Sequence, residues 1–149
     1  MPRAPAAAAR ASLSDRWIAR AILALAFLVA GVAHIVSPGG CLKITPGWVP
    51  WPEQVVLLTG LCEIAGAIGL MTTRFRRWSG IMLALYTVCV FPANINHALN
   101  HIALGGPPLG WWYHGPRLAF QPVIVWWCLY AGGVSLRRAR ASDRARGAA

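Results

Sequence analysis

The feature that most constrains this chain is an apolar run, Pro52–Met71, that carries one acid, Glu63, in its middle. A helix of about 20 residues, rising about 1.5 Å per residue, crosses a hydrocarbon core of about 30 Å. Glu63 would then lie near the bilayer midplane, where a carboxylate costs about 2.5–3.5 kcal/mol and rarely faces lipid. Its neighbours one turn away are all small, which lets a second helix approach closely: Thr59, Gly60, Gly66 and Ala67. The run therefore predicts a buried transmembrane helix whose acid needs a polar surround.

Three further apolar runs can supply that surround. The chain is 57% hydrophobic and only 12% charged, which is typical of a polytopic membrane protein. We predict an all-α, four-helix integral membrane bundle over residues 16–136, with helices at about 17–36, 53–71, 77–100 and 117–136. Pro92 interrupts the third run, because it has no N–H to donate. A cleaved signal peptide is the alternative for the first run, but no soluble domain follows it.

The segments outside these runs lack apolar periodicity. Residues 1–15 are rich in Ala, Pro and Arg and are predicted to be a disordered tail, and residues 137–149 a second, basic tail. Residues 37–52 and 101–116 contain prolines, glycines and tryptophans and are predicted to be loops at a membrane surface.

The distribution of charge predicts the orientation. The net charge is +10, and twelve of the 14 basic residues flank one side of the predicted helices, with Lys43 and Arg117 on the other. The positive-inside rule then places both termini in the cytoplasm. The predicted location is the plasma or inner membrane. Because these basic residues lie at helix ends and form no basic face, we exclude nucleic acid as a partner.

Polar residues within the runs mark a candidate site. Five of them fall in the outer half of the bilayer: Glu63, Asn94, Gln121, His34 and Arg117. Such groups either line a pocket or join helices by hydrogen bonds worth about 0.6 kcal/mol each, and the sequence leaves both readings open. The lean of helical side chains toward their N-termini predicts that Glu63 meets Asn94 first, with Gln121 or His34 completing the site and Arg117 at its mouth. With no cation at its depth, Glu63 is expected to be largely protonated.

Metal and thiol chemistry receive weaker support. His97 and His101 are four residues apart, and with His114 they form an alternative metal site, although no carboxylate or cysteine accompanies them. The four cysteines form no CxxC motif. The sequence offers no nucleophile–base pair, so it predicts a site without naming a reaction.

Several short motifs resemble the DoxX family of small four-helix bacterial and archaeal membrane proteins. They are Pro50-Trp51-Pro52-Glu53 before a helix with Thr59-Gly60 and Glu63-Ile64, the break Phe91-Pro92-Ala93-Asn94, and Arg117-Leu118 with Gln121. The resemblance covers roughly residues 18–136. It implies membrane redox chemistry, since one branch supplies a subunit of thiosulfate:quinone oxidoreductase and another is associated with oxidative-stress complexes.

Two functions of different class follow. In the first, the chain is a quinone-linked subunit, with Glu63 and Asn94 holding the head group and Glu63 exchanging a proton with it. In the second, it is a non-enzymatic assembly or stress-response partner whose polar residues only fix helix packing. A proton-coupled transporter is a weaker third, because four helices without a repeat would first have to form a homo-oligomer.

Overall fold

The structure is a computed structural model that describes residues 4–104 and 110–134, with backbone alone for 4–15. The regular elements of these residues are six helices. Two of the six lie before the predicted second span, α1 over Ala4–Val36 and the short α2 over Gly39–Ile44. The helix α3 covers Pro52–Met71. The remaining three are α4 over Arg76–Cys89, α5 over Phe91–Leu99 and α6 over Trp111–Gly132.

Three segments among the described residues are long and apolar enough to cross a membrane. They are Arg16–Val36 within α1, Pro52–Met71 and Arg76–Leu99, the last formed by α4 and α5 together. The helix α6 has the length, 22 residues, but polar side chains in its first half make it less apolar. The prediction of an all-helical membrane protein is therefore confirmed for these residues.

The boundaries of the helices differ from the predicted ones at three places. The chain is helical from Ala4, where a disordered tail over 1–15 was expected, because its alanines favour helix. Within the predicted loop over 37–52, residues Gly39–Ile44 form α2. The last helix begins at Trp111 instead of 117, since its first turns pack a buried His114 against the bundle. Residues 1–3 and the predicted basic tail over 137–149 lie outside the described residues.

Close approaches at glycines join the helices in two pairs. A Cβ added at Gly31 of α1 would lie 2.6 Å from the carbonyl oxygen of Gly60 of α3. A Cβ at Gly80 of α4 would lie 2.7 Å from Cα of Gly132 of α6. Without side chains at these points, each pair of backbones comes into direct contact. Between the pairs lies an apolar core whose fully buried members include Leu70, Leu83 and Cys128.

Arginines collect at one end of the bundle. Arg20 of α1 donates a 2.7 Å hydrogen bond to the carbonyl of Ala131, and Arg16 lies over the ring of Tyr130, both near the end of α6. Cations stabilise a helix C-terminus, whose last carbonyls have no donors within the helix. Gly133, with φ of +73°, ends α6 in the left-handed conformation that favours glycine. The start of α1 and the end of α6 therefore lie at the same end.

Candidate functional site

A cavity of about 730 Å³ lies between the helices, with its polar residues toward the end of the bundle opposite Arg16 and Arg20. Each of the six helices contributes to its lining, and most of that lining is aliphatic or aromatic. The five polar residues that the sequence singled out all line it: His34, Glu63, Asn94, Arg117 and Gln121. The structure thus brings them to one cavity, but it distributes them between two separate polar clusters.

The first cluster begins at the break in the third span. Pro92 has no N–H to donate to the carbonyl of Val88, four residues back. Beside this position, Gln121 Nε2 of α6 donates to the carbonyl oxygen of Thr87, near the end of α4, at 2.8 Å. A backbone carbonyl freed in an apolar setting is costly when left unpaired, so Gln121 stabilises the break.

From Gln121 a chain of hydrogen bonds runs toward the cavity mouth. Asn94 Nδ2 donates to Gln121 Oε1 at 3.0 Å, and Arg117 Nη2 donates to Asn94 Oδ1 at 2.7 Å. Arg117 Nη1 then approaches His97 Nδ1 at 2.8 Å, and His97 Nε2 contacts the Ile102 carbonyl at 3.0 Å. Since a guanidinium only donates, His97 must accept at Nδ1 and carry its proton on Nε2. The chain therefore fixes His97 as a neutral imidazole of one tautomer.

Arg117 is the cation of this cluster, and it meets neutral partners. The structure shows no carboxylate in ion-pair contact with Arg117 among the described residues. Two of its five N–H groups are used by Asn94 and His97, which leaves donors for another group. A half-buried guanidinium that lines a cavity without a counter-ion favours an anion or a strong acceptor as its further partner.

The second cluster contains Glu63, and here the predicted pairing was wrong. Glu63 does not meet Asn94: its Oε2 lies 2.7 Å from Nδ1 of His34 on α1. The two atoms are in ion-pair contact but lack the alignment of a hydrogen bond. Asn94 is unavailable because it is held by α6. His34 thus places an ionisable imidazole 2.7 Å from Glu63, where the sequence analysis expected no cation.

Tyr86 and Cys41 complete this second cluster, and the sequence analysis named neither as a site residue. Both line the cavity. Glu63 and His34 line the same cavity. Tyr86 sits seven residues, or two helical turns, before Ala93, a spacing that could have placed it on the cavity side of the third span. No pattern in the sequence points to Cys41, which reaches the cluster through the fold of α2.

The three histidines of the alternative metal site are adjacent but are not arranged as ligands. The ring centroids of His97 and His114 are 4.7 Å apart, and those of His101 and His114 are 6.5 Å apart. Both nitrogens of His97 are already hydrogen-bonded. The part of the chain that the structure describes holds no group of three His, Cys, Asp or Glu side chains that could bind a metal ion.

The fold and the site together define a helical membrane protein with an internal cavity that joins apolar walls to two polar clusters. A family model matches residues 23–131, and the chain belongs to that family, which is described as a domain of unknown function, DUF8561. The matched segment contains both polar clusters. Neither the curated proteins nor the solved structures include a match to this chain.

Proposed function

We propose that the chain is a four-span protein of the plasma or inner membrane with both termini in the cytoplasm. In the sequence, twelve of its 14 basic residues flank the same ends of the predicted spans, which the positive-inside rule assigns to the cytoplasm. The 22 residues of α6 would reach about 33 Å, enough to serve as the fourth span. Its polar side chains face the cavity or a neighbouring helix, so they need not meet lipid.

Within that membrane the cavity is proposed to bind a lipid-soluble amphiphile of the quinone class. The observation that carries this proposal is Arg117, a cation on the wall of a mainly apolar cavity that has no carboxylate partner among the residues the structure describes. Its remaining donors suit a carbonyl oxygen, and the aromatic and aliphatic walls suit a ring and an isoprenoid tail. The volume of about 730 Å³ lies within the range of about 300–1,000 Å³ usual for small-molecule sites.

The second polar cluster gives this site a proton donor and acceptor. Glu63 Oε2 lies 2.7 Å from His34 Nδ1, and Tyr86 brings a hydroxyl to the same cavity. Reduction of a quinone takes up two protons with two electrons. This chain would bind the ring and exchange protons, while a redox partner protein would supply the electrons. The resemblance to the DoxX family, with its quinone-linked branch, supports the same function.

Copurification and titration test the proposal. Protein purified in mild detergent is extracted with solvent, and the extract is examined for quinones by mass spectrometry and redox difference spectra. A short-chain quinone is then titrated against tryptophan fluorescence, which reports on the cavity through Trp127. Loss of a charged hydrogen bond worth about 1.5–3 kcal/mol predicts that Arg117→Met weakens binding by about ten- to a hundredfold.

The matched control is Arg77→Met, which removes an exposed arginine at the other end of the bundle. Equal binding by wild type, Arg77→Met and Arg117→Met would remove the basis of the proposal. The absence of any bound or titratable quinone would remove the quinone class itself.

A second candidate function is that of a non-enzymatic assembly or stress-response partner. It is favoured by the way Asn94, Gln121 and the Thr87 carbonyl satisfy one another across three helices, as packing groups do. A stable complex with another membrane protein, formed equally well by Arg117→Met and wild type, would favour this candidate over the quinone site.

A further inference from the structure

Three arginines from two helices lie against the last turn of α6. They form an arginine triad: Arg16 and Arg20 of α1 and Arg76 of α4. Nε of Arg20 donates to the carbonyl of Ala131 at 2.7 Å. The guanidinium carbon of Arg16, one turn earlier in α1, lies 5.4 Å from the centre of the Tyr130 ring. The two arginines of α1 therefore contact neighbouring residues at the end of α6.

The third arginine reaches the same turn through its backbone. A Cβ added at Gly132 would lie 3.2 Å from the carbonyl oxygen of Arg76, the first residue of α4. Nε of Arg76 donates to the carbonyl of Leu70, the penultimate residue of α3, at 3.4 Å. The arginine triad therefore lies where α1 meets the ends of α3 and α6 and the start of α4.

Stabilisation of a helix C-terminus accounts for only part of these donors. A guanidinium has five N–H groups. In the hydrogen bonds between described residues, Arg20 and Arg76 each use Nε, and Arg16 uses none. The ion pair among the described residues joins His34 to Glu63, so it leaves the triad without a carboxylate in that part of the chain. The terminal Nη groups of the triad are the donors that bind a phosphate in pairs.

Exposed tryptophans place the triad at the level of lipid head groups. Two of the three candidate spans begin at members of the triad, at Arg16 and at Arg76. Trp17 and Trp78 lie within two residues of these starts and are 58% and 72% exposed. Indole rings collect at the interface between a membrane and water. The triad would therefore lie at the depth of the phosphates of a bilayer.

We propose that the arginine triad binds the head group of an anionic phospholipid. The phosphate accepts hydrogen bonds from the Nη groups, as phosphates do in basic pockets between membrane helices. Trp126 stacks on Tyr130 with ring centres 5.3 Å apart and is 57% exposed, so it offers an acyl chain an apolar surface one turn deeper. An inorganic phosphate would use the same donors but not this ring. The site is separate from the cavity, whose lining among the described residues includes none of the three arginines.

Thermal unfolding in a nonionic detergent tests the site. The full-length protein, stripped of lipid, is titrated with dioctanoyl phosphatidylglycerol, with dioctanoyl phosphatidylcholine and with inorganic phosphate. A ligand of the folded protein raises the unfolding temperature with its concentration, which gives the affinity. Phosphatidylglycerol should act at a lower concentration than either other compound. Equal shifts with the two lipids would overturn the need for an anionic head group, and an equal shift with inorganic phosphate would overturn a lipid as the ligand.

Variants with the same change of charge distinguish a site from diffuse attraction. Loss of a charged hydrogen bond predicts that Arg16→Gln and Arg20→Gln each weaken phosphatidylglycerol binding by about tenfold or more. Arg74→Gln removes the same charge from an exposed turn before α4 and should weaken binding by less than about fivefold. Because Arg16 makes no hydrogen bond to the described residues, Arg16→Gln remains a test if Arg20→Gln does not fold. Equal weakening by Arg16→Gln and Arg74→Gln overturns the proposal.

An acid of the chain itself is the other group that could fill the triad. Asp15 precedes Arg16 in the sequence. If Asp15 occupied the site, phosphatidylglycerol would raise the unfolding temperature of Asp15→Asn but not that of the unaltered chain. That result would overturn the proposal, whereas a shift in both proteins supports it.

The lipid site and the quinone site fail separately. Arg16→Gln should leave the quinone titration unchanged, and Arg117→Met should leave the phosphatidylglycerol titration unchanged. If quinone binds but phosphatidylglycerol gives no shift, only the lipid site is lost. If phosphatidylglycerol binds through the triad but no quinone binds, only the quinone function is lost.

Discussion

Glu63 and Arg117 are opposite charges on one cavity, yet each has a different partner. Helical side chains lean toward their own N-termini, so Glu63 on α3 and His34 on the antiparallel α1 lean toward each other. The glycine contact brings them close, because His34 lies against Gly60 and Glu63 lies against Gly31. Arg117 instead joins Asn94 and His97. The outcome is a contact between Glu63 and His34 on one side of the cavity. On the other side, Arg117 has N–H donors left for a ligand.

At this scale we predict that Gln121→Leu destabilises the protein by about 1–3 kcal/mol, the cost of leaving a buried acceptor unpaired. The substitution removes the side-chain donor to the Thr87 carbonyl at the break between α4 and α5. Gln54→Leu makes the same change at an exposed position of α3 and should have little effect. Thermal unfolding of the two variants in one detergent measures the difference. Equal unfolding temperatures would show that Gln121 does not stabilise the break.

At the scale of elements, the break at Pro92 determines which helices share the site. It divides the third span into α4 and α5, and α5 then presents Asn94 and His97 to α6 rather than to α3. The glycine contacts determine the rest. Gly31 with Gly60 and Gly80 with Gly132 bring backbones together at the two sides, and the cavity remains between the pairs.

We therefore expect opposite effects from adding one methyl group at two helical glycines. Gly80→Ala would place Cβ 2.7 Å from backbone atoms of α6 and should destabilise the bundle by about 1–3 kcal/mol. Gly39→Ala lies at the start of α2 with nothing within 4 Å of the added Cβ and should be neutral or stabilising by up to about 1 kcal/mol, because alanine favours helix. Unfolding temperatures of the two variants give the signs. Stabilisation of the protein by Gly80→Ala would contradict the close approach of α4 and α6.

At the scale of the whole molecule, Arg16 and Arg20 lie at one end of the bundle, and the polar residues of the cavity lie toward the other. Arg16 and Arg20 meet the end of α6, whereas His34, Cys41 and Arg117 line the cavity at the other end. With the arginines in the cytoplasm, the cavity would open toward the outer leaflet. An amphiphile would then reach the polar clusters from the lipid without crossing the basic end.

Reporter fusions test this topology. A reporter that is active only outside the cytoplasm should be inactive when fused at the C-terminus and active when inserted after Lys43, in the loop between the first two spans. Replacing Arg74, Arg76 and Arg77 together by Gln should reduce the difference in activity between the two reporters. It removes the charges that hold the turn between the second and third spans in the cytoplasm. An active C-terminal reporter in the unaltered chain would contradict the fourth span or the orientation.

The sequence by itself determined the helical class and the three apolar spans, because these depend on local composition. It also determined the place of the break, because proline lacks an N–H. It also identified the five polar residues of the cavity, since polar groups are rare in apolar runs. It did not determine which of them meet. That depends on how each helix is rotated about its axis, and the rotation is decided by Gly31 against Gly60, by α5 against α6 and by the fold of α2, contacts that join distant parts of the chain. Only the tertiary structure therefore paired Glu63 with His34 and brought Cys41 to the same cavity.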